Sequence, residues 1–405
     1  MPNHPTRDDI DLLDGGFYIG TVRERYAWMR ANAPVYFDEH NGLWGFASYD
    51  AVLTAEKDAK TFSNAGGSRP VNPPIPMMID MDDPDHWKRR KLVNKGFTPR
   101  RVRDSADWIR QVCDEIIDAV CEKGECDFVN DIAAPLPMIL IGDMLGVPPE
   151  KRAELLQWSD DMLASLDTKA TEEQVNKSMA AAAGYAEFCT HAVAQRQTSP
   201  TDDLMSILVH AEVDGDRLSP EDILYESLLI LIGGDETTRH VISGGMEQLM
   251  LHPDQYQSLV ADPSNIEIAV EEMLRWVTPI KSMNRTVTHD TTYFGQELST
   301  GQECLLLYEA ANFDETKFKD PEVFDITRHP KEHIAFGFGT HYCLGQALAR
   351  LELKIMFEQL MERIPDMTFA TDPATLPRRR ANFVTGLDAM PVTFTPSKPK
   401  TAVAV

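Results

Sequence analysis

The sequence contains no apolar run long enough to cross a membrane. Its richest apolar stretches, residues 138–141 and 228–232, are far shorter than the roughly 20 residues that a transmembrane helix needs. The first 14 residues are polar and acidic, unlike a secretory leader. We therefore expect a protein without a membrane anchor, located in the cytoplasm.

Positive charge is scarce, with 39 Lys and Arg against 64 Asp and Glu and a net charge of −25. This balance excludes general nucleic-acid binding, which requires a basic surface. One dense basic cluster stands out, and it comprises Lys88, Arg89, Arg90, Lys91, Lys95, Arg100, Arg101 and Arg103. The cluster is either a solvated helix face or a docking surface for an acidic partner protein.

Cysteine is also sparse, and its spacing does not indicate a zinc site or a disulfide framework. The six cysteines are Cys113, Cys121, Cys126, Cys189, Cys304 and Cys343. Cys121 and Cys126 lack histidines at zinc-site spacing. We expect these cysteines to be reduced, as in a cytoplasmic protein.

Cys343 alone lies in a distinctive loop, Phe-Gly-Phe-Gly-Thr-His-Tyr-Cys-Leu-Gly at residues 336–345. Gly337 and Gly339 allow a close approach to a flat ligand. Leucines at helical spacing follow, so the sequence predicts Cys343 at a helix N-terminus with a lowered thiol pKa. A thiolate held in this way is suited to bind haem iron. The alternative is a buried structural cysteine beside a glycine turn.

A long helix is predicted from Ser219, a good N-cap followed by Pro220, to about residue 252. Glycines inside a helix are unfavourable, so Gly233 and Gly234 need a compensating use. The Thr237 hydroxyl can hydrogen-bond to the Gly233 carbonyl and open a gap for dioxygen and a water. The alternative is close helix packing through glycine, with the neighbouring Glu236 solvated.

These motifs resemble the cytochrome P450 family, the haem-thiolate monooxygenases, over residues 10–397. The resemblance implies that Glu236 and Thr237 are the catalytic pair that delivers protons. It also implies a set of residues that hold haem b, namely Cys343 as iron ligand, His86, Arg90, Arg285 and His341 at the propionates, and Phe336, Gly337 and Gly345 in the loop. Glu272 and Arg275, three residues apart in a predicted helix, would form with Arg328 a buried structural ion pair.

The resemblance implies a mainly α fold with small β-sheets, the cytochrome P450 fold, in a single large domain that encloses the haem. We expect this domain to span residues 15–397, after a flexible segment 1–14 and before a frayed tail 398–405. A β-hairpin is predicted around residues 35–46, with Asn41 and Gly42 at its turn.

Apolar residues near the motifs are candidates for a substrate cavity, although ordinary core packing explains each of them equally well. They are Ile75, Met77, Met78, Leu229, Ile232, Gly233, Pro279, Ile280, Met283, Phe383 and Val384. Segments 63–67, 76–84, 124–129 and 381–384 resemble the actinobacterial members of the family that oxidise the side chain of cholesterol or cholest-4-en-3-one. Those enzymes hydroxylate the terminal methyl group and continue toward the acid.

The resemblance also implies dioxygen as co-substrate and electrons from NAD(P)H through a ferredoxin reductase and a ferredoxin, for which the basic cluster is a candidate surface. Three alternatives stay open. They are a monooxygenase of another lipid or terpenoid, a haem-thiolate peroxygenase, and a non-enzymatic steroid-binding or haem-dependent sensor protein.

Overall fold

The computed structural model describes residues 4–165 and 170–400, which form one mainly helical domain with small sheets. The helices are α1 (Val22–Asn32), α2 (Tyr49–Lys57), α3 (Asp85–Val93), α4 (Pro99–Asp104), α5 (Ala106–Asp118), α6 (Pro135–Met144), α7 (Arg152–Ala164), α8 (Glu172–Thr198), α9 (Leu204–His210), α10 (Pro220–Leu251), α11 (Pro253–Ala261), α12 (Ile266–Val277), α13 (Tyr308–Asn312) and α14 (Gln346–Arg363). Within the described ranges, none of them is long and apolar enough to cross a membrane.

The strands are short. They are β1 (Val35–Asp38), β2 (Leu43–Phe46), β3 (Phe62–Ser63), β4 (Glu125–Asp127), β5 (Glu212–Val213), β6 (Asp216–Arg217), β7 (Ser282–Val287), β8 (Thr291–Tyr293), β9 (Gln296–Leu298), β10 (Glu303–Leu307), β11 (Thr368–Phe369) and β12 (Pro391–Thr393). The largest sheet has the order β1-β2-β10-β7-β3, and a second sheet has the order β11-β12-β4.

The predicted hairpin is strands β1 and β2, which pair antiparallel from Val35 opposite Phe46 to Asp38 opposite Leu43. Gly42 at the turn has a φ of +70°, a conformation that favours glycine. The turn therefore forms where the Asn-Gly pair predicts it.

Helix α10 organises the domain, because it packs on α6, α12 and α14. Its start is the one that the sequence predicts, since Ser219 accepts a hydrogen bond from the Asp222 N–H at 3.1 Å and Pro220 is the first helical residue. The apolar side chains of α10 join the two largest core clusters. The residues of α10 are thereby held at the centre of the molecule.

Residues on both sides of the expected domain, 15–397, contact it. In the segment expected to be flexible, Ile10 and Leu12 are fully buried, and the Leu12 N–H donates to Asp38 at 2.8 Å. These two residues therefore pack on the domain. At the other end, Lys400 pairs with Glu362 at 2.8 Å, and the rest of the predicted tail, 401–405, lies outside the described residues.

Candidate active site

The loop that carries Cys343 folds as its glycines predict. Gly337 and Gly339 have φ angles of +67° and +71°, in the left-handed region that favours glycine. A Cβ on Gly339 would lie 2.6 Å from the backbone oxygen of Glu56, so the loop also passes close to α2. The Cys343 N–H donates to the Phe336 carbonyl at 2.9 Å and closes the loop. Cys343, Phe336 and Gly337 all line a large interior cavity, here called the main cavity.

The thiol of Cys343 differs from the sequence prediction in its position and in its pKa. Helix α14 begins at Gln346, with Gly345 as N-cap, so Cys343 precedes the helix instead of starting it. Burial raises the pKa of the Cys343 thiol, although backbone N–H groups and the charges of Arg90 and Arg350 oppose this shift. The prediction of a lowered pKa in the protein alone was wrong, because desolvation outweighs the helix end. A bound metal ion would reverse this balance, since a coordinating thiol loses its proton.

All four side chains predicted to bind the haem propionates line the main cavity, namely His86, Arg90, Arg285 and His341. The two imidazole rings lie with their centroids 4.0 Å apart. Burial lowers the pKa of both histidines. The Nδ1 atom of His86 lies 3.1 Å from a carboxylate oxygen of Asp83, so a neutral His86 ring directs its one N–H to Asp83. The Nε2 atoms of His86 and His341 are both buried without a hydrogen-bond partner among the described residues.

These groups fit haem. A buried polar atom without a partner is unfavourable by about 1–3 kcal/mol, so two such nitrogens on one cavity wall call for a polar partner. The carboxylates of haem would accept from Arg90, and their negative charge would favour the protonated ring of His86, in which Nε2 also donates. The Cys343 sulfur on the same cavity wall would provide a ligand for the iron.

Arg285 lines the main cavity, and its positive charge is paired with the carboxylate of Glu56. Its guanidinium donates to Glu56 at 2.8 Å and to the Asn284 carbonyl at 2.8 Å. The Tyr308 hydroxyl donates to the second oxygen of Glu56. Glu56 and Tyr308 were not predicted to belong to the site, because they come from α2 and α13, far from Arg285 in the sequence.

Helix α10 contains the hydrogen bond that the sequence predicts beside its two glycines. The Thr237 hydroxyl donates to the Gly233 carbonyl at 2.8 Å, as the four-residue spacing predicts. A Cβ on Gly233 would meet nothing within 4 Å, whereas a Cβ on Gly234 would lie 2.6 Å from the Ile141 side chain. The first glycine therefore leaves open space beside the cavity, and the second allows α10 to pack closely on α6.

Glu236 is fully buried and is paired with two arginines, Arg239 from its own helix and Arg379 from the C-terminal segment. Burial opposes ionisation, but the His240 ring, 3.8 Å from the carboxylate, and the two arginine charges hold the pKa of Glu236 well below its usual value. The solvated carboxylate considered as an alternative is therefore not what the structure shows.

The predicted acid–alcohol pair faces two different cavities. Thr237 lines the main cavity, whereas Glu236 lines a second and more polar cavity together with Asp160 and Arg379. Asp160 accepts from Arg239 at 3.0 Å, and burial raises its pKa to about 6. Glu236 and Thr237 are adjacent in α10 and about 100° apart around its axis, so the acid and the alcohol face different cavities.

Several residues of the two cavities were not predicted from the sequence. Arg239 follows Glu236 by three positions, a spacing that indicates pairing on a helix. Glu352 lines the main cavity, and burial raises its pKa to about 8; its helical spacing of four from Leu348 was an available signal. Arg379 and Asp160 carried no local signal, since they approach Glu236 only in the folded chain.

Six of the predicted substrate-contact residues line the main cavity, and they are Met78, Leu229, Gly233, Pro279, Ile280 and Met283. The other five lie elsewhere. Phe383 and Val384 line the second cavity. Ile75 is exposed. Met77 is buried but does not line the main cavity. Ile232 packs against a core cluster that α10 shares with neighbouring helices. These six residues form an apolar part of the cavity wall.

The predicted structural ion pair is present. Arg275 donates to both oxygens of Glu272, at 2.8 and 2.7 Å, and Arg328 donates to the same carboxylate at 3.2 Å. Glu272 and Arg275 are fully buried. Arg275 also donates to the Asn312 carbonyl at 2.9 Å, and the Asn312 side chain accepts from the Ile334 N–H at 2.8 Å. The ion pair therefore supports the segment that leads into the Cys343 loop.

Most of the basic cluster is paired with acids of the same chain. Arg89 binds Glu226 and Asp222, Lys91 binds Asp214, and Arg101 binds Asp202. Lys88 and Arg100 are exposed but lie 3.8 and 3.4 Å from Asp85 and Asp104, and Arg103 is exposed. The positive surface available to a partner is therefore smaller than the sequence indicated.

Comparison with known proteins agrees with these features. Residues 47–365 match the family model described as Cytochrome P450. The chain is similar to steroid C26-monooxygenases of Mycolicibacterium smegmatis and Mycobacterium tuberculosis, with 55% identity to each over 97% and 96% of this chain and 98% of each relative. It is also similar to the solved structure of cytochrome P450 CYP109Q5 from Chondromyces apiculatus. That similarity has a TM-score of 0.86 and 32% identity over 96% of this chain and 99% of that chain.

Proposed function

Because the chain belongs to the cytochrome P450 family, and is a monooxygenase, we propose that it hydroxylates the terminal methyl group of a steroid side chain and oxidises the product further toward the acid. The observation that carries this proposal is the similarity to two steroid C26-monooxygenases over almost their whole length. The apolar wall of the main cavity supports it, since such a wall suits a hydrocarbon side chain.

The cofactor of this family is haem b, which activates dioxygen for insertion into a C–H bond with electrons that redox proteins supply from NAD(P)H. We propose that Cys343 binds the iron and that His86, Arg90, Arg285 and His341 hold the propionates. The unpartnered histidine nitrogens in the main cavity support this assignment. Phe336, Gly337 and Gly345 would form the wall beside the cysteine.

In this proposal, Thr237 and Glu236 supply protons from two different faces of α10. The Thr237 hydroxyl, anchored on Gly233, orients a water in the open space beside that glycine. Glu236 can take up a proton only when Arg239 or Arg379 moves away, because both arginines stabilise its charged form. The second cavity gives Glu236 access to water on its own side of the helix.

Binding spectra test the substrate assignment. Cholest-4-en-3-one, with its side chain in the main cavity, should shift the ferric haem toward high spin, and turnover should give a terminal alcohol and then the acid. A side chain of eight carbons contributes about 0.8 kcal/mol per buried methylene before ordering costs. Androstenedione lacks that chain, so we expect it to bind about a hundredfold more weakly, a difference of about 2.7 kcal/mol. A larger spin shift with androstenedione, or oxidation of the rings, would contradict the assignment.

Consumption of NADH distinguishes the remaining alternatives. A monooxygenase consumes NADH in proportion to product when a reductase and a redox protein are supplied. A peroxygenase forms product from hydrogen peroxide without NADH, and a steroid-binding or sensor protein binds the steroid without turnover.

We propose a ferredoxin as the redox partner, with exposed Lys88, Arg100 and Arg103 as its docking surface. An acidic ferredoxin would be steered to this surface, so reduction should slow as salt rises above about 0.1 M. The double variant Arg100→Glu/Arg103→Glu should slow reduction of the haem. The matched control is Lys60→Glu/Lys319→Glu, which makes the same charge change outside the cluster. Equal rates in both double variants would exclude this surface.

A cytoplasmic location remains part of the proposal. It is supported by the six cysteines, all of which are free thiols in the structure.

A further inference from the structure

Glu56, Arg285 and Tyr308 form a buried charged network next to the main cavity. Glu56 lies in α2 and is 6% exposed, and Arg285 lies in β7 and is 3% exposed. The guanidinium donates to one carboxylate oxygen at 2.8 Å, and the Tyr308 hydroxyl donates to the other. Both oxygens of Glu56 are therefore engaged, and the carboxylate is fixed in place.

The network touches the loop of the predicted iron ligand. A Cβ on Gly337 would lie 3.4 Å from an oxygen of Glu56 and 3.6 Å from the Tyr308 hydroxyl. Arg285 and Tyr308 both line the main cavity. Glu56 does not itself line the main cavity, but it contacts two side chains, Arg285 and Tyr308, that do.

The carboxylate changes what Arg285 contributes to the cavity. An unpaired guanidinium would present a full positive charge in a buried region, where electrostatic interactions are screened much less than in water. Paired with Glu56, it presents hydrogen-bond donors with almost no net charge. A guanidinium has five N–H donors, so Arg285 can hold Glu56 and a carboxylate of the cofactor at the same time.

We propose that Glu56 lowers the reduction potential of the bound haem by neutralising Arg285. Reduction of ferric to ferrous haem adds one electron from the redox protein, and a nearby positive charge favours the state with the added electron. Glu56 removes that charge while Arg285 and Tyr308 keep their places. The proposal rests on the proposed haem site.

Potentiometric titration of Glu56→Gln tests it. The amide keeps the size of the side chain and removes its charge, so the midpoint potential should shift to a more positive value with the haem retained at least as firmly. Glu56→Asp keeps the charge and should stay near the parent potential. Tyr308→Phe removes one hydrogen bond without changing the charge, and it should shift the potential less than Glu56→Gln.

Glu309→Gln is the matched control. Glu309 is another buried acid, 5% exposed and paired with Lys281 at 3.1 Å, and it is not among the residues that line the main cavity. Loss of the Glu309 charge should leave the midpoint potential of the haem unchanged. An unchanged potential in Glu56→Gln, the same shift in both glutamine variants, or loss of haem from Glu56→Gln would overturn the proposal. A parent protein without the red-shifted ferrous carbonyl band would instead overturn the haem–thiolate site itself.

Discussion

Replacement of Glu272 by glutamine should destabilise the protein strongly. The amide has nearly the shape of the carboxylate but no charge, so Arg275 would keep a buried and unpaired cation and Arg328 would lose its acceptor. Breaking a buried ion pair on one side is unfavourable by about 3–5 kcal/mol, because the remaining charge stays desolvated. We therefore expect a loss of that size in the free energy of unfolding.

Thermal unfolding followed by circular dichroism measures this loss. An unfolding entropy of about 2.1 cal/mol/K per residue gives roughly 0.85 kcal/mol/K for the chain, so the midpoint should fall by roughly 4–6 °C. Haem retention should fall as well, because the ion pair supports the segment before the Cys343 loop through Asn312.

Glu267→Gln is the matched control on the same helix. Glu267 and Lys354 form an ion pair at 3.2 Å between exposed side chains, and such pairs contribute about 1 kcal/mol or less. The control should therefore shift the midpoint by only about 1 °C. If Glu272→Gln lost no more stability than Glu267→Gln, the reasoning about the buried charge would be refuted.

Three further predictions concern the site. Cys343→Ala should lose the red-shifted Soret band of the ferrous carbonyl complex, whereas Cys113→Ala should keep it; retention of the band in the first variant would assign the iron to another residue. Thr237→Ala should still consume NADH and oxygen but release much of the oxygen as hydrogen peroxide, and unchanged coupling of product to NADH would remove Thr237 from proton delivery. Burial raises the pKa of Asp235 to about 7, above its unfolded value of about 4, so the parent should lose stability as the pH rises through this interval. Asp235→Asn should remove the part of that loss that Asp235 causes, measured by urea unfolding, and a difference between variant and parent that does not change with pH would contradict the assignment.

Local signals in the sequence predicted the parts of the site that lie within one element. Ser219 and Pro220 mark the start of α10 because capping involves neighbouring residues. The bond from Thr237 to Gly233 follows from helix geometry alone. Glycines with left-handed φ angles in the Cys343 loop are likewise required by the turn itself.

Features that depend on tertiary packing could not be predicted in this way. Glu56 and Arg285 are 229 positions apart, and Glu236 and Arg379 are 143 apart, so only the folded chain brings them together. The pKa of Cys343 was predicted with the wrong sign because burial is a property of the whole fold. The fold class itself was predicted correctly, since the family resemblance extends over almost the whole chain.

The position of α10 between two cavities has a consequence for the evolution and redesign of this enzyme. The substrate wall, including Leu229 and Met283, belongs to one compartment, and Glu236 with its partner Arg379 belongs to the other. Mutations that reshape the wall can therefore alter which molecule is accepted without changing the surroundings of Glu236. Selection in the laboratory for new specificities can concentrate on the wall and leave the charged compartment constant.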